Sequence, residues 1–169
     1  MTERIVIVGA GEAGARAALA LRENGFAGAI ALVGEEAHLP YERPPLSKAA
    51  LIDGDAPRPA TILTEERLAE HGIDHVAGAS ALAIDRAAHR LTLQDRDPLP
   101  YDRLLIATGS DPFIIPVPGH DLPGVVSFRD MADVERMLAA ADAGKAAGGA
   151  AASAVVIGGG LLGLEAAHG

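Results

Sequence analysis

Short runs of aliphatic residues alternate along the chain with longer stretches in which apolar positions recur every three or four residues. Arg4–Val8 (RIVIV) is a β-branched apolar run, the pattern of a strand buried on both faces. After Gly9-Ala10-Gly11-Glu12-Ala13-Gly14, an Ala/Leu-rich segment predicts a helix to about Asn24. Gly25 then stands where a left-handed residue is favoured past a helix end. Ala29–Val33 (AIALV) reads as a second buried strand, closing at Gly34-Glu35-Glu36. Strand, glycine turn, helix and strand in about 30 residues make a βαβ unit.

Beyond it, residues 38–45 (HLPYERPP) are broken by three prolines and exclude regular structure, with a short helix predicted to begin near Pro45. Thr64 can cap a helix whose first turn carries Glu65 and Glu66 and which Gly72 ends. Residues 73–76, 81–84 and 90–93 read as strands, the last two paired through a turn at 85–88. Residues 104–107 form another buried strand, cut off by Thr108-Gly109-Ser110. Four prolines and two glycines make 112–124 a connector, and 130–141 is a predicted helix. Residues 143–153, rich in Gly and Ala, read as a flexible linker. A strand at 155–157 and Gly158-Gly159-Gly160-Leu161-Leu162-Gly163 then repeat the opening pattern. The chain ends in the first turns of the helix this motif should start, so a fragment of a longer protein is expected.

Composition narrows the class. The 169 residues are 49% hydrophobic and 22% charged but only 3% aromatic, which predicts an aliphatic core. A net charge of −9 argues against a nucleic-acid partner, whose phosphates require concentrated Lys and Arg. No apolar run approaches the roughly 20 residues that span a bilayer, and the N-terminus shows no secretion signal, so no membrane association and a cytoplasmic location are expected. The absence of cysteine removes disulfides, thiolate metal sites and thiol nucleophiles together. His71 and His75 have helical metal-pair spacing, but Gly72 interrupts them, and no metal site is expected. Ser47 lacks the GxSxG context of a hydrolase nucleophile. The acids at 95–102 read as a solvated hairpin face.

The candidate chemistry lies in the glycine motifs. In G-x-G-x-x-G the first glycine makes the turn, the second admits a pyrophosphate close to the backbone, and the third lets helix pack on strand. The helix N-terminus supplies amides and dipole to the phosphates. Here Gly9, Gly11 and Gly14 follow a strand and open a helix, and Glu35 lies about 20 residues on, where an acid meets a ribose hydroxyl. Glu36 is the alternative acid.

Residues 34–48 (GEEAHLPYERPPLSK) resemble the flavin-binding segment of ferredoxin and rubredoxin reductases and of apoptosis-inducing factor. With the first glycine motif, LLIATGS and VVIGGGLLGLE, the whole chain resembles the FAD/NAD(P)-dependent pyridine nucleotide-disulfide oxidoreductase superfamily. PPLSK is the most specific part. The second fingerprint and PGVVSFRDMADVERM also resemble the flavin part of assimilatory nitrite reductases, which leaves the branch open.

The resemblance implies an α/β, Rossmann-like FAD/NAD(P)-binding fold: a parallel sheet, a small antiparallel hairpin insertion and a truncated second nucleotide-binding domain. It divides the chain into a first part of an FAD-binding domain (1–111), a connector and helix (112–153) and the start of an NAD(P)-binding domain (154–169). FAD would be held by Gly9, Gly11, Glu12, Ala13, Gly14, Glu35, Arg43, Lys48, Ala81, Ala107, Thr108 and Gly109. NAD(P)H would be held by Gly158, Gly160, Leu161, Leu162 and Gly163. Lys48 would stand near the flavin ring, where a cation stabilises the charge of reduced flavin, and Glu165 near the nicotinamide–flavin contact. A solvated loop cation is the alternative for Lys48. Disulfide reductases of this superfamily place a cysteine pair after the ribose acid; here HLPYERPPLSK stands there without a thiol. The implied function is transfer of electrons from NAD(P)H via FAD to a small iron–sulfur protein or another acceptor. The rival from a different class is a truncated, non-catalytic FAD-binding module.

Overall fold

β1 (Arg4–Val8) and β2 (Ala29–Val33) are apolar at successive positions, so both faces of each strand need cover. The computed structural model, which describes residues 2–52, 60–146 and 153–168, shows how that cover is supplied. The chain forms two compact units, one from residues 1–42 and 60–109, the other from 43–59 and 110–169.

In the first unit β1 pairs in parallel with β2, in the register Arg4↔Ala29 to Val8↔Val33. β2 pairs in parallel with β3 (Ile73–Val76), and β1 on its other side with β7 (Arg103–Ile106). The resulting order β3-β2-β1-β7 is that of a dinucleotide-binding half-sheet. Side chains alternate between its two faces. Ile5, Ile7, Ile30 and Leu32 meet Ala15, Ala18 and Leu19 of α1 (Glu12–Glu23) and Leu68 of α3 (Glu65–Glu70). Val6, Val8, Ala31 and Val33 meet Leu91, Leu93 and Tyr101. That second cover is the face of a three-stranded antiparallel sheet, β4 (Ala81–Asp85), β5 (Arg90–Leu93) and β6 (Arg96–Pro100).

Polar groups close the ends of these elements. Thr64 caps α3 by accepting the Arg67 amide. The Asp85 carboxylate takes the amides of Ala87 and Ala88, and His89 adopts φ +51°, which turns β4 into β5. Arg22, near the end of α1, donates to the carbonyls of Phe26, Gly28, His71 and Gly72 at 2.6–2.9 Å. One guanidinium thus ties the α1–β2 loop to the α3–β3 turn.

The second unit is helical. A 3-10 turn (Pro44–Ser47) leads into α2 (Ala49–Ile52), which touches α4 (Met131–Ala146), while α5 (Leu161–His168) touches the 3-10 turn. Among the described residues no helix is long and apolar enough to cross a membrane.

Three details depart from expectation. β6 lies in the segment read only as a solvated hairpin face; it is an edge strand, where its Pro98 and Pro100 are tolerated. The strand expected at 155–157 has no ladder, since the described residues of the second unit contain no strand to pair with it. The helix expected at 130–141 runs on to Ala146, into the segment read as a linker, of which residues 147–152 lie outside the described part.

Two tests follow from this packing. Built on Gly14, a Cβ would stand 1.8 Å from the Gly9 carbonyl oxygen, a backbone atom that cannot swing aside. Gly14→Ala is expected to destabilise the first unit by roughly 1–3 kcal/mol or more, read from urea unfolding; an unchanged midpoint refutes the close approach. His75 Nε2, on β3, is buried with no hydrogen-bond partner among the described residues. Burial pushes this imidazole below the usual histidine range, against the opposing pull of Asp74. The unfolded chain therefore binds this proton more readily. The stability linked to it is full above about pH 6.5 and falls as pH drops towards the folded-state value. Melting temperatures of His75→Leu should fall less on acidification than those of the wild type, and parallel curves would exclude His75 as the source.

Candidate nucleotide-binding site

The carboxyl ends of β1, β2 and β7 converge on the first glycine motif. Gly9 donates its amide to Val33 O (2.8 Å), and the Ala107 amide donates to Val8 O (2.7 Å). Gly9 has φ +111°, and a Cβ there would lie 2.2 Å from Ala107 O and 2.9 Å from the Thr108 nitrogen. A Cβ on Gly34 would lie 2.5 Å from that of Ala10. Gly9, Gly14 and Gly34 are thus each required by the protein's own backbone and neighbouring side chains.

Gly11 is different. Its φ of −74° suits any residue, and among the described residues nothing lies within 4 Å of a Cβ built there. It is the N-cap of α1, and no side chain caps this helix, so the first-turn amides around Glu12 and Ala13 face open space at the positive end of the dipole. Neither conformation nor packing calls for glycine at 11. A phosphate group seated on those amides does, and the cradle fits the pyrophosphate of a dinucleotide.

Glu35, one residue beyond the Gly34–Ala10 contact, is exposed and accepts a hydrogen bond from Ser80 Oγ at 3.1 Å. Glu36, the alternative acid, instead receives the Tyr41 hydroxyl at 2.5 Å. Ser80 immediately precedes Ala81, which opens β4. Ala107, Thr108 and Gly109 (φ +76°) follow β7 directly. The first unit therefore gathers Gly9, Gly11, Glu12, Ala13, Gly14, Glu35, Ala81, Ala107, Thr108 and Gly109 about the carboxyl end of its parallel sheet.

The other candidates lie in the second unit. Lys48 Nζ is 3.1 Å from Glu165 Oε2, and the Ser47 hydroxyl donates to the same oxygen. Ser47's hydrogen bond first, and Lys48 second, hold the Glu165 carboxyl below the usual glutamate range. Arg43 donates to the Arg129 carbonyl (2.8 Å), and the Arg129 amide donates to Asp133 (2.6 Å). Asp133, 1% exposed, also takes the Ser127 hydroxyl and the Arg136 guanidinium, and its own amide donates to Asp130. A cleft of about 180 Å³ is lined by Arg43, Pro44, Leu46, Ser47, Phe128, Arg129 and Leu162.

The second glycine motif folds as the first does. Gly158 has φ +133°, and a Cβ on Gly163 would lie 1.9 Å from Gly158 O, as one on Gly14 would from Gly9 O. Gly160, like Gly11, has nothing within 4 Å of a built Cβ among the described residues, and Leu161 and Leu162 open α5 behind it.

Sequence reasoning missed Ser47 and Asp133 as parts of the site. Asp130-x-x-Asp133 has the spacing of a capping box, which was a readable signal. Ser47 offered only its place beside Lys48.

The chain matches the family model described as pyridine nucleotide-disulphide oxidoreductase over residues 3–168. It is 42% identical over 165 residues to the probable ferredoxin reductase CtmF of Castellaniella defragrans, covering 98% of this chain and 39% of that protein. It is likewise 42% identical to the ferredoxin–NAD(+) reductase component of the p-cumate 2,3-dioxygenase system of Pseudomonas putida, over 97% of this chain and 39% of that one. The crystal structure of the ferredoxin reductase for the CYP199A2 system from Rhodopseudomonas palustris superposes with a TM-score of 0.84 at 33% identity, over 97% of this chain and 39% of that chain. The chain thus spans about two fifths of the length of the relatives it matches. The half-sheet, the glycine turn built on its carboxyl end and the match along nearly the whole sequence make this chain a member of the pyridine nucleotide-disulphide oxidoreductase family.

Proposed function

We propose that this chain binds FAD at its first glycine turn and is the FAD-binding part of an NAD(P)H-dependent flavoprotein reductase. The parent enzyme passes electrons from NAD(P)H via FAD to a ferredoxin- or rubredoxin-like iron–sulfur protein. The observation that carries this reading is Gly11, a glycine with ordinary φ and open space before it at an uncapped helix N-terminus. The ferredoxin-directed names of the relatives support the acceptor class.

In this reading residues 1–111 are the first part of the FAD-binding domain, 112–153 a connector and helix, and 154–169 the start of an NAD(P)-binding domain. Gly9, Gly11 and Gly14, with the amides of Glu12 and Ala13, hold the pyrophosphate, and Glu35 accepts from the adenosine ribose. Ala81, Ala107, Thr108 and Gly109 border the nucleotide, and Arg43 and Lys48 are further FAD-binding residues. Gly158, Gly160, Leu161, Leu162 and Gly163 receive NAD(P)H by the same helix-terminus electrostatics. A bound FAD would supply the chemistry that takes up a hydride and passes electrons on one at a time. Lys48 supplies positive charge to the reacting region, and Glu165 keeps that ammonium oriented. A cytoplasmic location belongs to the same proposal, since an enzyme that consumes NAD(P)H needs a compartment in which that nucleotide is regenerated.

The primary test is the visible absorption spectrum of the purified, desalted chain after incubation with FAD. A retained flavin spectrum supports the reading, and a wild-type chain that stays colourless opposes it. Gly11→Val should lose flavin retention while its unfolding midpoint stays near the wild-type value; a yellow Gly11→Val protein would show the turn to be only structural. In the longer parent protein, Lys48→Ala should slow flavin reduction by NAD(P)H while FAD remains bound, as followed by stopped-flow bleaching. Unchanged rates would remove Lys48 from the reaction.

A further inference from the structure

Lys48 and Glu165 are an incomplete device by themselves. Their side chains are 57% and 36% exposed, and a single ion pair in that setting contributes little and holds neither partner firmly. Lys48 is the last residue of a five-residue segment, and its ammonium also lies 3.3 Å from the Pro44 carbonyl oxygen. What distinguishes this pair from an ordinary surface contact is the residue beside it. Ser47 is 3% exposed, on a 3-10 turn opened by two prolines whose φ angles are fixed by their rings.

The Ser47 hydroxyl has one proton and two acceptors in reach. Pro44 O stands at the limit of hydrogen bonding, 3.4 Å away. The Glu165 carboxylate is closer and charged, so the proton goes to Glu165. Both donors, Ser47 Oγ and Lys48 Nζ, converge on the single oxygen Oε2. A carboxylate held by a buried, rigidly mounted hydroxyl cannot rotate away without losing a charge-assisted hydrogen bond. A carboxylate held only by a solvated lysine can.

We infer that Ser47 is a positioning residue: its buried hydroxyl fixes the Glu165 carboxylate, and through it the place of the Lys48 ammonium. The inference rests on the reading above, in which Lys48 and Glu165 serve flavin reduction. Ser47 acts through Glu165 and touches no reacting atom. Its removal leaves no buried group without a partner, because Glu165 is open to water on its other side, so Ser47→Ala is a mild change to the fold.

The test is an NMR titration of the Glu165 side-chain carboxyl in this chain, compared among wild type, Ser47→Ala and Ser47→Thr. In the wild type Glu165 should titrate below ordinary glutamate. Ser47→Ala should shift it upward although Lys48 is intact, and Ser47→Thr, which keeps the hydroxyl, should bring it back. The backbone amide shifts of α4, in the same unit, report that the unit remains folded. Should the alanine variant fail that check, Ser47→Cys keeps the volume with a weaker donor and is expected to shift Glu165 in the same direction. The inference is overturned if a folded Ser47→Ala or Ser47→Cys titrates as the wild type does, or if Ser47→Thr does not reverse the alanine shift. The reading it rests on fails by a different observation, a wild-type chain that binds no FAD, which leaves the titration result standing.

Discussion

The approach of one backbone to another, with no side chain between, is the constraint on which the first unit depends. The Gly9 carbonyl occupies the space a side chain at 14 would fill, and the Ala107 carbonyl occupies the space a side chain at 9 would fill. These two vacancies let α1 descend onto β1 and let β7 close against the turn from the other side. Contact at that range needs no compensating bond, but it tolerates no added carbon. Everything arranged about the carboxyl end of the sheet, from the open face of Gly11 to the position of Glu35, inherits its geometry from them. Half of this logic recurs in the second motif, where the Gly158 carbonyl fills the space a side chain at 163 would occupy, although residues 155–157 before it join no ladder. The motif is therefore a local structure, set by a few residues, and not a product of the sheet around it.

Much of this was legible in the residues. β1 and β2 showed as β-branched or aliphatic runs because burial on both faces removes the polar alternation that would otherwise mark them, whereas β7, read as another buried strand, is largely exposed. Gly25 and Gly72 marked helix ends through a left-handed conformation, and Thr64 marked a helix start through a side chain that caps it. β6 lay in a segment whose acids read as a solvated hairpin face, and its prolines are compatible with an edge strand only. The strand at 155–157 erred the other way: its apolar run was plain, but a ladder needs a partner, and sequence pattern carries no information about whether one is there.

The site divides along the same line. Residues whose role follows from backbone conformation, such as Gly9 and Gly14, could be placed from spacing alone. Residues whose role follows from a partner far along the chain could not. Ser47 and Glu165 are separated by more than a hundred positions, and nothing near Ser47 announces what its hydroxyl will meet. Asp133 lies between, since half of its arrangement is a local capping pattern and the other half, its hold on the backbone that receives Arg43, is not.

The edge strand β6 has a consequence for how copies of this protein meet one another. Tyr101 donates its amide inward to His89 O, so the neighbouring position 100, paired with Arg90, turns its backbone outward from the sheet. That position is proline and has no amide proton to offer. Pro98 sits where the β5–β6 register slips, so the rim is bent as well as deprived of a donor. Among the described residues β6 pairs only with β5, and a rim of this kind is a poor template for an incoming strand. Pro98 and Pro100 thus keep neighbouring molecules from stitching themselves together along it.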